Sequence, residues 1–152
     1  MPMPWTYRHA TKEWRAFLDD IKEQMSLESD NMAYTAVDAV FQVFRRRLTA
    51  QQGLDFASTL PSVLRAIFVK GWDVTQSPVP FSDRNTLIAE VKSVRISHNL
   101  TPDNAIEATA WAVRRCTNGM DFERVLAKLP EEAVEFWHVE VDDPAELEQR
   151  II

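Results

Sequence analysis

A run of three arginines, Arg45 to Arg47, is the densest group of chemically active side chains in this 152-residue chain. It falls at the predicted C-terminal end of an amphipathic helix, where cations stabilise the helix dipole and bond the last carbonyls. Further cations lie near other predicted helix ends, at Arg65, Lys70, Arg114 and Arg115. If these side chains share one side of the fold, they form a patch for an anionic partner or for phosphates. The sequence leaves both interpretations open, although capping needs no further assumption.

Five tryptophans are many for this length, and most of them are expected in the core. Trp111 lies nearly half a turn from the apolar stripe of its predicted helix, counting about 100° per residue. It is therefore either an exposed anchor at an interface or a residue covered by a second neighbouring helix. Trp72 directly follows a predicted helix stop. The residues predicted to mediate interaction are Arg45, Arg46, Arg47, Arg65, Trp72 and Trp111.

Other reactive side chains lack the spacing that catalysis or metal binding needs. His9, His98 and His138 include no pair at i, i+4, and no Cys-x-x-Cys occurs, so no metal site is predicted. Cys116, the single cysteine, lies on the apolar face of its helix and is expected to be a buried, inert thiol. Adjacent acids such as Asp19-Asp20 diverge around a helix and do not converge on one substrate. The sequence therefore predicts no catalytic residue and no cofactor.

Composition indicates an ordinary globular chain, with 45% apolar and 26% charged residues. Three glycines argue against a sheet with many tight turns and against a glycine-rich phosphate loop. The net charge of −6 comes from the C-terminal end, because residues 131–152 hold eight acidic side chains against Arg150 alone. Nucleic acid is therefore not the expected partner. No apolar run suits a membrane span or a secretory signal, so a cytoplasmic location is expected.

Apolar periodicity predicts helices from about 11 to 25 and from about 30 to 48, followed by a third helix that Thr49 caps. An extended lead-in, residues 1–10, precedes them because two prolines disfavour a helix there. A short buried helix then follows Leu60, with Pro61 at its first position and Gly71 as its left-handed stop. Together these four helices form a predicted first repeat, residues 11–72, which a proline-rich linker, residues 73–82, connects to the rest.

The same order of helices recurs in residues 83–139. Ser82 or Asp83 is predicted to cap the first helix, Thr101 the second with Pro102 at its first position, and Asp121 the third. Leu129-Pro130 matches Leu60-Pro61, and Arg114-Arg115 matches Arg45-Arg46. We therefore predict an all-α protein of two tandem pseudo-repeats of about four helices each, packed into one helical domain. An acidic tail, residues 140–152, ends the chain with at most a short turn.

The segment LPSVLRAIFVKGWD, together with FLDDIKEQM and AYTAVDAVFQVF, resembles a bacterial family known as domain of unknown function 2267. The similarity covers about residues 11–139, and the second half departs more from the pattern. This resemblance implies an all-helical fold built from two repeats. It implies no reaction, and it offers no catalytic residues to transfer to this chain.

Large apolar side chains without catalytic spacings favour a non-catalytic protein-interaction or regulatory module, whose expected partner is either another protein or a second copy of the chain. The alternative is an enzyme or small-ligand protein with its pocket between the repeats. Nucleic-acid binding through the arginines is a weaker third interpretation, because the overall charge opposes it.

Overall fold

The computed structural model describes residues 2–95 and 101–152, and within them the chain is all-α, as predicted. The described part contains nine α-helices and no β-strand. The helices are α1 (Trp5–Arg8), α2 (Ala10–Met25), α3 (Asp30–Arg45), α4 (Ala50–Ala57), α5 (Ser62–Val69), α6 (Arg84–Ser93), α7 (Ala105–Arg114), α8 (Gly119–Leu126) and α9 (Glu131–Phe136). A single 3₁₀ turn, Pro144–Leu147, lies near the C-terminus.

The two longest helices, α2 and α3, form because apolar residues recur on one face of each. In α2 the buried face is built by Phe17, Leu18, Ile21 and Met25, and Asp20 is buried beside them, whereas Asp19 and Glu23 are exposed. Small residues let α3 pack against several neighbours at once, since Ala33 and Ala36 are fully buried. As a result α3 contacts α2, α5, α6 and α7 and is the central helix of the fold.

Aromatic rings fill the space where helices α2 to α5 meet helices α6 to α9. The ring of Phe44 lies 4.9 Å from Phe56, 4.9 Å from Phe136 and 5.2 Å from Trp137, measured between ring centroids. Phe56 in turn lies 5.7 Å from Phe122. These rings come from helices far apart in sequence, so their burial holds the two sets together.

Some helix contacts are reciprocal between α2–α5, here called the first half, and α6–α9, the second half. The contact of α2 with α7 has its counterpart in α6 with α3, and α2 with α3 has its counterpart in α6 with α7. The helices α3 and α7 also contact each other, as do α4 and α8. This arrangement is what a two-fold exchange of the halves would produce; the duplication itself stays a prediction.

Helix starts were predicted with mixed success. Thr49 caps α4 as predicted, Asp83 rather than Ser82 caps α6, and Ser29 caps α3, each accepting a backbone N–H with its side chain. Gly71 has a φ of 67°, as a left-handed stop requires. Pro61, however, is the cap residue before α5, and the first helical residue is Ser62.

The predicted starts of α7 and α8 were wrong. Thr101 does not cap α7, which begins three residues after Pro102 because residues 102–104 form a turn closed by an Ala105 N–H to Pro102 carbonyl bond. Asp121 lies inside the first turn of α8, and the cap is Asn118, whose side-chain oxygen accepts the Asp121 N–H. The predicted loop that carries His98 lies outside the described residues.

The prediction of an extended lead-in was also wrong, because α1 forms one helical turn after Pro4. Both prolines precede the helix, where the missing N–H and the fixed φ cost nothing. Thr6 anchors this turn to α5. Its hydroxyl oxygen accepts the Ser62 N–H at 2.8 Å, and its carbonyl accepts the Ser62 hydroxyl at 3.1 Å. The Ser62 N–H, which the Pro61 side chain cannot cap, is therefore hydrogen-bonded to Thr6 of α1.

Candidate functional site

Arg45, at the end of α3, is buried, and its guanidinium joins α3 to the end of α5. The Nη1 atom donates to the carbonyls of Phe68 and Lys70, each at 2.8 Å. Its guanidinium carbon lies 6.0 Å from the centre of the Trp72 ring. Burial lowers the pKa of Arg45 and nearby Asp38 partly offsets this, but an arginine remains charged at neutral pH. This residue thus caps α5 rather than α3.

The next two arginines share one carboxylate on α6. Arg46 is exposed and donates to Glu90 at 2.9 Å. Arg47 is buried, and its side chain donates to Glu90 at 2.5 Å and to the Val43 carbonyl at 2.7 Å. Arg45 therefore bonds the end of α5, whereas Arg46 and Arg47 share Glu90, and of the three only Arg46 offers much free surface.

Arg65 and Trp111 lie elsewhere and are engaged within the fold. Arg65 donates to the carbonyls of Ala57 and Leu60, which satisfies the end of α4. Trp111 is only 7% exposed, so of the two alternatives the covered one is correct. Its indole N–H donates to the Glu146 carboxylate at 2.9 Å.

Three of the six predicted residues meet in one groove at the end of α3. We call residues 72–80 the first strap, because they turn back over α3 and the Val79 N–H donates to the Arg46 carbonyl at 3.0 Å. The groove between the strap and α3, the first groove, encloses about 300 Å³. It is lined by Gln42, Arg45, Arg46, Leu48, Trp72, Asp73, Gln76, Ser77 and Val79.

The first groove combines an aromatic wall with hydrogen-bond donors. Within the described residues, Nε and Nη2 of both Arg45 and Arg46 have no hydrogen-bond partner. The carboxylate of Asp73 also lines the groove, but its oxygens accept bonds from Thr75 and Gln76, which lower its pKa. The groove can therefore bind a polar or anionic group beside the Trp72 ring.

Comparison with known proteins places the chain by sequence. A family model described as "Uncharacterized conserved protein (DUF2267)" matches residues 14–136. The chain belongs to the DUF2267 family. The resemblance stated from the sequence is thereby confirmed, and the DUF2267 match includes the arginines of α3, the first strap and most of the second half. No curated protein matches the chain.

Remaining reactive side chains form no constellation in residues 2–95 and 101–152. No group of three or more His, Cys, Asp or Glu there is arranged to hold a metal ion. Burial raises the pKa of Cys116, and the nearby carboxylates of Glu13 and Asp20 raise it further, so its thiolate is disfavoured. His138 is exposed and contacts Glu140 at 2.7 Å. None of the helices in these ranges has the length and hydrophobicity to cross a membrane.

Sequence reasoning missed the strap, which is the element that creates the groove. Pro78 and Pro80 mark this segment in the sequence, but the linker was interpreted only as a connection between repeats. The bond from the Val79 N–H to the Arg46 carbonyl joins residues that are far apart in sequence, so local periodicity does not predict it. The two prolines flanking Val79 were the available signal, since they leave one free N–H between them.

Proposed function

We propose that this DUF2267 protein is a non-catalytic binding module that engages a protein partner through the first groove. One observation carries the proposal: Arg45, Arg46 and Trp72, which sequence reasoning selected for interaction, converge on the same open groove. Their free N–H groups and the indole face are of the kind that anchors protein interfaces, where arginine and tryptophan are enriched.

The two competing functions have less support. A pocket between the repeats is the basis of the enzyme alternative, yet that region holds the rings of Phe44, Phe56 and Trp137 in mutual contact. Nucleic-acid binding needs a continuous free patch of cations. Arg114 donates to Trp137 and Glu123, and Arg115 to Asp20, so these side chains do not extend the α3 group.

A photo-crosslinking experiment tests the proposal. A photoreactive amino acid at Gln76 lies in the groove, and the same group at exposed Lys128 on the C-terminal side of α8 is the control. After irradiation in lysate of the source cells, we expect one dominant adduct from position 76 and none of that mass from position 128. The adduct should fall at least about fivefold when Arg46→Gln removes one charged donor.

Equal adducts from both positions, or an adduct at 76 that Arg46→Gln leaves unchanged, would contradict the proposal. An adduct at 76 that contains a second copy of the chain would show that the partner is the protein itself. Sedimentation velocity over a wide concentration range then has to show association, which Arg46→Gln weakens.

A further inference from the structure

The two halves contain the same strap, built by equivalent contacts. Arg114 donates to the Trp137 carbonyl at 2.9 Å, as Arg45 does to the Phe68 carbonyl. Arg114 lies 69 residues after Arg45, and Trp137 lies 69 residues after Phe68. After α9, residues 139–150 turn back over α7 and form a second strap. The Arg150 N–H donates to the Arg115 carbonyl at 2.8 Å, just as Val79 bonds Arg46.

Beneath the second strap, the chain supplies its own acid. Trp111 donates its indole N–H to the Glu146 carboxylate, and Arg115 donates to the Glu146 backbone carbonyl at 3.1 Å. The Arg115 guanidinium carbon lies 4.4 Å from the centre of the Trp111 ring. The Glu146 carboxylate thus accepts the indole N–H, while the Arg115 guanidinium stacks on the same indole and pairs with Asp20.

The first strap lacks that acid. The residue 69 positions before Glu146 is Ser77. If the strap residues Val79 and Arg150 are aligned instead, the residue equivalent to Glu146 is Thr75. The equivalent region is therefore Thr-Gln-Ser, residues 75–77. Gln42 occupies the chain position equivalent to Trp111. The smaller side chain of Gln42 and the absence of an acid from residues 75–77 leave the first groove open, and Arg45, Arg46 and Asp73 line it.

We infer that the first groove binds a carboxylate, namely a glutamate or aspartate side chain on an extended segment of the partner protein. The inference rests on the proposed function and specifies the chemistry of the partner. A single negative charge matches the spare N–H donors of two neighbouring guanidinium groups, which favour carboxylates in forked geometry. A doubly charged phosphate fits less well, because Asp73 lies in the same groove.

Peptide titration tests this inference. The peptide acetyl-Gly-Glu-Gly-amide is added to ¹⁵N-labelled protein, with acetyl-Gly-Gln-Gly-amide as the neutral control, glutarate as a free carboxylate and inorganic phosphate as a second anion. We expect the glutamate peptide to shift the Trp72 indole and the Arg46 side-chain resonances saturably and the glutamine peptide not to do so. Arg46→Gln should weaken the binding about tenfold.

A variant that supplies the acid within the chain gives the sharper control. Ser77→Glu places a carboxylate on the groove wall and should abolish the peptide response, whereas the neutral match Ser77→Gln should leave it intact. Ser77 is exposed, so both variants are expected to fold. Equal effects of the two variants would contradict the inference.

Three further outcomes overturn the inference: equal shifts with the glutamate and glutamine peptides, a response to glutarate without one to the glutamate peptide, and a stronger response to phosphate than to the peptide. These failures are distinguishable from a failure of the proposed function. A groove-dependent crosslink at Gln76 without any carboxylate response would retain the binding module and reject only this chemistry.

Discussion

At the scale of single residues, Gly53 and Trp72 explain how the aromatic wall of the first groove is held. A Cβ atom added to Gly53 would lie 2.1 Å from the Trp72 ring, so the ring rests directly on the α4 backbone. In α8 the residue equivalent to Gly53, 69 positions later, is Phe122. The guanidinium carbon of Arg114 lies 5.1 Å from the centre of the Phe122 ring. Each half thus provides an aromatic ring beside an arginine: Trp72 of the first strap lies beside Arg45, and Phe122 of α8 lies beside Arg114.

Gly53→Ala should therefore be destabilising, although alanine is the better helix former. The added methyl group must displace Trp72, and overpacking of this kind costs about 1–3 kcal/mol of the free energy of unfolding. Urea denaturation measures the loss, and Trp fluorescence should report a more exposed indole.

Two variants make this prediction falsifiable. Gly119→Ala is the matched control, because nothing lies within 4 Å of an added Cβ there, and it should be neutral or slightly stabilising. In a Trp72→Ala background the sign should reverse, with Gly53→Ala stabilising by about 0.5–1 kcal/mol through helix propensity. A destabilisation that persists without the indole would rule out the contact as its cause.

At the scale of elements, α6 depends on a carboxylate cap. The Thr86 N–H donates to the Asp83 side chain at 2.8 Å, and this bond holds the pKa of Asp83 below its ordinary value of 3.8. Bonds from Arg15 and Lys22 likewise lower the pKa of Asp30. Groups of this kind contribute stability above their unfolded-state pKa and lose it as the pH falls through the lowered pKa.

Asp83→Asn should therefore make the stability less dependent on pH in the acid range. Asparagine is an equally good cap but does not titrate, so the melting temperature at neutral pH should stay close to that of the wild type. Between about pH 4 and pH 2 the variant should lose less stability than the wild type. Thermal melts followed by circular dichroism measure both quantities.

Asp83→Ala provides the contrast, since it removes the cap itself and should lower the melting temperature at every pH above the acid range. If Asp83→Asn instead showed the same acid sensitivity as the wild type, the carboxylate would not be the titrating group.

At the scale of the whole molecule, reciprocal ion pairs connect the two halves. Arg46, directly after α3, pairs with Glu90 on α6, and Arg115, directly after α7, pairs with Asp20 on α2 at 3.2 Å. Asp20 and Glu90 lie 70 residues apart, at equivalent places of their helices. Each also contacts a second arginine, Arg150 or Arg47. Burial raises the pKa of Asp20, and that of Glu90 is lowered because its two arginines outweigh burial.

Glu90→Gln should be strongly destabilising for this reason. The Arg47 side chain is only 3% exposed, and the substitution leaves its charge without a counter-ion. Removal of one partner of a buried pair costs several kcal/mol, and partial exposure of Glu90 reduces the expected loss to about 2 kcal/mol. Urea denaturation should show it, whereas Glu23→Gln on the exposed face of α2 should change stability by less than about 0.5 kcal/mol. Equal losses in both variants would count against the pair.

Much of the fold was predictable because helices are local. Apolar periodicity identified the helices α2 to α9. The Thr49 cap was predicted correctly and the α6 cap was narrowed to Ser82 or Asp83, since a cap and its N–H lie three residues apart. The starts of α7 and α8 were predicted wrongly because each has two polar candidates three positions apart, Thr101 or Asn104 and Asn118 or Asp121. Local sequence does not decide which of them the tertiary contacts will engage.

By itself the sequence determined the helical class, the family and the residue types that could form a site, because these depend on periodicity, composition and motif. Only the tertiary structure showed that the side chains of Arg47, Arg65 and Trp111 are hydrogen-bonded within the fold. It also showed that Arg45, Arg46 and Trp72 line the same groove. Except for the bonds of Arg47 to Val43 and of Arg65 to Ala57 and Leu60, those outcomes depend on contacts between residues 20 or more positions apart, such as Arg45 with Phe68 and Val79 with Arg46. The direction of a side chain at a helix end is set by whatever packs against it, and no local pattern encodes that.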